Sequence, residues 1–232
     1  MPLPLFYEED LPAIEQFKLN EESSRHITQV LRMREGEQIQ ITDGKGYTLT
    51  AQIVSPHKKN TEVKVAHRDF LPMQKPKAAI AISLIKNTGR FEWFVEKATE
   101  IGISTIIPLL CSRTEKTHFR RERIQSILIS AMLQSRQSWL TELSEPVKLD
   151  ELIKSKGYDL KFIAHCLQEK KMDLKNALPD KATSRLILIG PEGDFTKDEI
   201  QAAILHNFIP VSLGDNRLRT ETAGIVAAVL LV

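Results

Sequence analysis

The chain has 232 residues, enough for one large domain or two modest ones, and its 42% hydrophobic and 27% charged content suits a folded protein with a real core. A formal net charge of +2 excludes nucleic-acid binding by bulk charge, so any such affinity must come from local basic patches. Cys111 and Cys166 form no C-x-x-C pair and read as reduced thiols of a cytoplasmic protein. The six histidines show no metal-binding spacing, no apolar run reaches membrane-spanning length, and no signal peptide is recognisable. Neither a metal nor a membrane is therefore expected.

Residues 1–72 look unlike the rest. Asn20 followed by Glu21 and Glu22 is a cap with an acidic first turn, which predicts a helix to about Met33. That helix carries Arg25, Arg32 and Arg34, candidate RNA contacts or simply a solvated basic face. Strand-like runs follow at 37–42, 47–54 and 61–67, the first two joined by the turn Asp43-Gly44-Lys45-Gly46. Short strands closed by tight turns suggest a small β-barrel. Pro72 to Pro76, including Gln74 and Lys75, reads as a linker that separates residues 1–72 from 73–232.

Beyond the linker, strands alternate with helices. An apolar strand at 78–85 leads to a helix at 90–102, which Thr88 or Gly89 can cap. Phe91, Phe94, Val95, Ala98 and Ile101 recur in it at helical spacing, and Gly102 is a stop. A strand at 105–110 precedes a helix at 119–137 with Ile124, Ile127, Leu128, Ala131 and Leu133 inward; another strand follows at 158–165. This alternation predicts an α/β fold with a mostly parallel sheet covered on both faces. Lys86, Arg113, Lys116, Arg120, Arg121 and Arg136 are further candidate RNA contacts, with solvated helix faces as the alternative.

Residues 185–232 hold the pattern with chemical content. The apolar run Leu186 to Ile189 stops at Gly190-Pro191-Glu192-Gly193. Thr196 with Glu199 three residues on forms a capping box for a helix to about Asn207. A strand at 209–213 stops at Gly214, and Asp215-Asn216-Arg217-Leu218-Arg219 leads into a helix from Thr220. Two glycine turns at strand ends are where an open α/β sheet holds a ligand. Neither turn carries G-x-G-x-x-G or a phosphate-binding G-x-x-x-x-G-K-[ST]. The pocket residues proposed on this basis are Leu188, Ile189, Gly190, Glu192, Gly193, Leu213, Gly214, Arg217, Leu218, Thr220, Thr222 and Ala223. Arg219 and Glu221, at the start of the helix, are the candidates for catalysis. Singly, each glycine reads as permitting a turn and nothing more; as a pair, with the family-like flanks described below, the turns read as a pocket. His165 and His206 are available, but no residue stands out as a general base. The last helix is apolar all round and so must be buried, in the subunit core or in a subunit interface.

GPEGDF followed by LGDNRLRTETA resembles the knotted, SPOUT-type RNA methyltransferases, and within them the RsmE family, which methylates N3 of a uridine in 16S ribosomal RNA. The usual forms there are GPEGGF and LG-x-RILR-x-ETA. Asp194 stands here for the second glycine of the first motif, and Asn216-Arg217-Leu218-Arg219 for Arg-Ile-Leu-Arg. Gln134-Ser135-Arg136 partly matches the family's Glu-Gln-Ser-x-Arg, with Leu133 where the acid is usual. The resemblance spans the whole chain. It implies a PUA-like β-barrel RNA-binding domain over 1–72 and, over 73–232, a trefoil-knotted domain whose knot forms the S-adenosylmethionine pocket. It implies a homodimer whose interface borders that pocket, and 16S rRNA, within the 30S subunit, as substrate. The competing readings are the same fold acting on another rRNA or tRNA position, and a non-catalytic RNA-binding module in which Asp194 has spoiled the pocket.

Overall fold

The computed structural model describes residues 2–73, 77–169, 171–179 and 184–232. The linker reading at Gln74 to Pro76 lies outside the described residues. The chain folds into two compact units, Met1–Met73 with Met132–Leu140, and Gln74–Ala131 with Thr141–Val232.

The first unit is a five-stranded curled sheet. Its strands are β1 (Leu5–Tyr7), β2 (Gln16–Lys18), β3 (Gln38–Thr42), β4 (Tyr47–Ser55) and β5 (Glu62–Phe70), in the order β1-β3-β4-β5-β2. β1 runs parallel to β3 and the other pairs are antiparallel. Among the described residues the edge strands β1 and β2 do not pair with each other, which leaves a seam in the curled sheet. Side chains bridge the seam: the Glu8 carboxylate accepts the Asn20 amide (3.1 Å), and Asn20 Nδ2 donates to Tyr7 O (3.3 Å). Burial pushes the Glu8 carboxyl up, and the hydrogen bond from the Asn20 amide partly opposes it. Ile27, Ile39, Ile41, Leu49, Ala51 and Val63 fill the interior. Asn20 caps α1 (Glu21–Arg25), accepting Ser23 N at 2.8 Å. The predicted helix to Met33 differs in form: after α1 the chain widens into a π-helical turn, His26–Val30. In the predicted hairpin turn, Asp43 Oδ1 accepts the amides of Lys45 (2.7 Å) and Tyr47 (3.1 Å).

The second unit is a parallel sheet. It contains β6 (Lys77–Ser83), α2 (Thr88–Ile101), β7 (Thr105–Leu110), α3 (Arg121–Gln134, whose last residues belong to the first unit), β8 (Glu142–Leu143), β9 (Val147–Lys148) and α4 (Leu149–Leu152). β10 (Leu160–Ala164), β11 (Met172–Asp173), α5 (Leu174–Ala177), β12 (Ser184–Ile189), α6 (Lys197–Leu205), β13 (Ile209–Ser212) and α7 (Thr220–Leu231) complete it. The strand order is β11-β13-β10-β12-β6-β7-β8, with β9 also on β7, and every described pair is parallel. Asn87, rather than Thr88 or Gly89, caps α2 with its side chain. Gly102 ends α2 in the left-handed conformation at φ 104°, as its position predicts.

Both faces of the central strands are buried, as a parallel sheet requires. On one face Ala79, Ala81, Leu186 and Leu188 pack with Phe195, Ile200 and Ala203. On the other, α7 packs on α2, β6 and β12. Gly224 makes that second layer possible: a Cβ there would sit 2.6 Å from Phe94 Cε2 and 2.9 Å from Ile82 Cδ1. The apolar residues of α7 are not all enclosed within the subunit, since Val229 is 61% and Val232 59% exposed, as is Trp93 on α2 at 45%.

Candidate active site: a cleft at three strand ends

Ala164 is in register with Ile189 on one side and Val211 on the other. The carboxyl ends of β10, β12 and β13 therefore meet at one edge of the sheet, where parallel topology sends three successive turns outward. Two contiguous cavities open there, of about 360 and 440 Å³. Ala164, Cys166, Arg217, Leu218 and Ala223 line both.

The smaller cavity is walled by Ile189, Gly190, Pro191, Glu192 and Asp194 from the turn after β12, by Arg219, Thr220 and Glu221 from the start of α7, and by Arg90. Thr220 Oγ1 donates to Gly190 O at 3.1 Å and fixes one turn against the other. Glu221 pairs with Arg90 (3.6 Å). Glu192 Oε1 accepts the Lys86 amide at 3.1 Å, which ties the turn to the end of β6. Thr196 and Glu199 form the predicted capping box, and Glu199 also accepts the Ser112 amide (2.7 Å). The turn is thus braced against the ends of β6 and β7.

The larger cavity has apolar walls from Val211, Leu213, Leu218 and Ala223, with His165, Gln168, Lys171 and Ser212 around them. Gly214 lies here at φ 120°, a conformation closed to side-chain-bearing residues. His165 is 7% exposed, and neither ring nitrogen has a hydrogen-bond partner among the described residues. Burial, reinforced by Lys171, holds its pKa below the usual histidine range. Among the described residues, no group of three His, Cys, Asp or Glu is placed to hold a metal ion.

Of the residues singled out in the sequence, Ile189, Gly190, Glu192, Leu213, Gly214, Arg217, Leu218, Arg219, Thr220, Glu221 and Ala223 line the two cavities. Leu188 does not: alternation along β12 turns it into the sheet core, fully buried. Gly193 and Thr222 are not in the walls; Gly193 lies under Arg113, whose Nη1 donates to its carbonyl at 2.6 Å. Arg90, Ala164, Cys166 and Asp194 are in the walls and were missed as site residues. The end of the strand at 158–165 was the available signal for two of them, because ligands gather at the carboxyl ends of parallel strands.

The basic candidates separate by unit. Arg25, Arg32 and Arg34 are exposed on the first. Arg136, also exposed on the first, has its guanidinium engaged, donating to Leu3 O (3.1 Å) and Gln40 Oε1 (2.6 Å). In the second, Lys86 pairs with Glu115 (3.1 Å) and Lys116 donates to Thr88 Oγ1 (2.8 Å).

The profile of the RNA methyltransferase domain family matches residues 73–232. The chain belongs to that family. The profile of the RNA methyltransferase PUA domain matches residues 19–66. A Buchnera aphidicola protein (subspecies Acyrthosiphon pisum) named ribosomal RNA small subunit methyltransferase E is 28% identical, over 98% of this chain and 91% of its own. The crystal structure of a probable rRNA-methyltransferase from Porphyromonas gingivalis is similar at a TM-score of 0.91, with 33% identity over 97% of this chain and 95% of its own. A ribosomal RNA small subunit methyltransferase E from Neisseria gonorrhoeae, bound to S-adenosyl methionine, is similar at a TM-score of 0.85, with 27% identity over 98% of this chain and 95% of its own.

Proposed function

We propose that this chain transfers a methyl group from S-adenosylmethionine to N3 of a uridine in 16S ribosomal RNA, within the 30S subunit and in the cytoplasm. The observation that carries the reading is the cleft itself, where two glycine turns and a third strand end converge on contiguous cavities of about 360 and 440 Å³. The names of the relatives and the S-adenosyl methionine bound to one of them support the same assignment.

The residues fit the donor. Leu213, Leu218 and Ala223 offer apolar walls to a purine ring, and the main chain of both turns offers amides and carbonyls to its edge. Ile189, Gly190, Glu192, Arg217 and Thr220 complete the pocket. S-adenosylmethionine, when bound, supplies a methyl group already activated by its sulfonium. The protein's task is then to align the acceptor and to hold charge. Uracil N3 must lose its proton, and the resulting charge spreads onto the uracil carbonyl oxygens. The Arg219 guanidinium, at the mouth of the helix, is the group to hold those oxygens. Glu221, fixed by Arg90, keeps the start of α7 and its arginine neighbour in place. The domain over residues 1–72, to which Met132–Leu140 add in the first unit, contacts RNA through Arg25, Arg32 and Arg34, and the rest of residues 73–232 makes the catalytic domain, with Lys86, Arg113 and Lys116 on its RNA side.

Two further features belong to this reading. β13 lies on the far side of β10 from β12, while α7 returns to β6 and β12. A chain that leaves β13 and doubles back past these ends through 213–219 supports the trefoil knot. The exposed Trp93, Val229 and Val232 support a homodimer formed on α2 and α7.

The test is methyl transfer from labelled donor to 30S particles and to free rRNA, side by side, with the modified nucleotide mapped by mass. Label at uridine N3 is expected; label at a ribose hydroxyl or another base overturns the assignment. Arg219→Ala should lower turnover about 100-fold while changing donor affinity little. Equal loss of both would make Arg219 a loop-holding residue.

A further inference from the structure

We infer that Asp194 is a positioning residue for donor capture, its carboxylate fastening the turn after β12 to the wall after β10 across the mouth of the cleft. The inference rests on the donor reading above. It begins with an anomaly in the backbone. Asp194 stands at φ 62°, where glycine is at ease and most side-chain-bearing residues are not. A residue held there needs something to hold it.

Both carboxylate oxygens are engaged. Oδ1 accepts the Phe195 amide at 2.8 Å, and Phe195 is buried in the sheet core at 2% exposure, so this bond anchors the side chain to a fixed point. Oδ2 accepts the Cys166 amide at 2.8 Å, 28 residues away in sequence. Cys166 borders both cavities, and Asp194 borders the smaller one. The carboxylate thus spans from the core-anchored turn to the residue where the two cavities join.

The wall it reaches has few other ties. Lys171 Nζ donates to His165 O and to Leu167 O. The main chain at 165–167 is therefore held at three successive residues, by a cation on its carbonyls and by Asp194 on the amide between them. Among the described residues the His165 ring finds no hydrogen-bond partner. Among the described residues, releasing Asp194 leaves Lys171 and the local bond from Glu169 N to Leu167 O (2.9 Å) to set where this wall stands, and so the width of the cleft. Glu192 and Glu221, the other carboxylates of the smaller cavity, are turned to the Lys86 amide and to Arg90.

Three measurements on the full chain test this. In Asp194→Gly the backbone conformation is free and both bonds are lost. Calorimetry should show affinity for S-adenosylmethionine and for S-adenosylhomocysteine falling together, by about tenfold. Asp194→Asn, which tolerates the same φ and keeps one of the two acceptor oxygens, should recover part of the affinity for both. A loss in Asp194→Asn for the cationic donor alone would overturn the tether in favour of a charge effect. Alkylation of Cys166 by iodoacetamide, without any donor, should be faster in Asp194→Gly. Unchanged alkylation with unchanged affinity overturns the inference. Wild-type protein that binds neither nucleoside, yet shows the alkylation difference, would sink the donor reading and leave the tether standing.

Discussion

Replacing Gly224 with alanine sets two opposed effects against each other. In the interior of α7 an alanine is worth about 0.5–1 kcal/mol over glycine through backbone entropy. The methyl group, however, would arrive 2.6 and 2.8 Å from two ring carbons of Phe94 and 2.9 Å from Ile82 Cδ1. Carbon–carbon contacts relax only near 3.5 Å, so α7 must lift from α2 and β6 by roughly 1 Å. Phe94 and Ile82 are fully buried and have no room to yield. Overpacking of this kind costs about 1–3 kcal/mol, so the middle of the two ranges leaves a net loss of roughly 1 kcal/mol. The urea midpoint should fall by about 0.5 M at an unchanged slope. The displacement also reaches the cleft, because Thr220, at the start of the same helix, bonds Gly190 O at 3.1 Å. Donor affinity should fall about tenfold. A variant more stable than wild type by the helix-propensity gain, with wild-type donor affinity, would refute the claim that this contact sets the helix in place.

The two thiols should behave oppositely. Burial, with help from Glu199, pushes the Cys111 thiol up to about 12, so it should resist iodoacetamide at pH 8 while exposed Cys166 reacts and saturating S-adenosylmethionine slows that reaction. His165 is held below its unfolded value of 6.5, so its contribution to stability is complete above that pH and is lost as pH falls through it toward the native value. Urea midpoints at pH 7.5 and 5.5 should therefore differ less in His165→Phe than in wild type; an equal difference would remove His165 as the source. For the proposed homodimer on α2 and α7, Val229→Lys should give a monomer by light scattering where wild type gives a dimer, and a variant that stays dimeric would place the interface elsewhere.

The strand runs at 105–110 and 186–189 were legible because parallel strands buried on both faces are written as unbroken apolar stretches. The glycine turns were legible because Gly214 and the capping box at Thr196 have local geometric demands that local sequence must meet. β1 and β2 were not, since three residues paired to partners far along the chain leave no periodicity to read. The π-helical turn at His26–Val30 escaped for a related reason: helical spacing does not distinguish it from one more turn of α-helix. The missed site residues, Arg90 and Cys166, depend on which strand ends lie side by side, and strand order is a property of the sheet as a whole. Asp194 looked like a defect in the motif. In the fold it keeps the backbone conformation of the turn and adds a bond across the cleft.

The pairing of β6 with β12 joins Ala78 to Arg185, about a hundred residues further along the chain. On the ribosome, β6 emerges early and can dock β7 at once, but its opposite border stays bare until nearly the whole polypeptide has been made. That border belongs to one of the most water-averse segments of the protein, Ala78 to Ile82. Newly made chains should thus pass through a stage prone to sticking to one another, and slower elongation would prolong it.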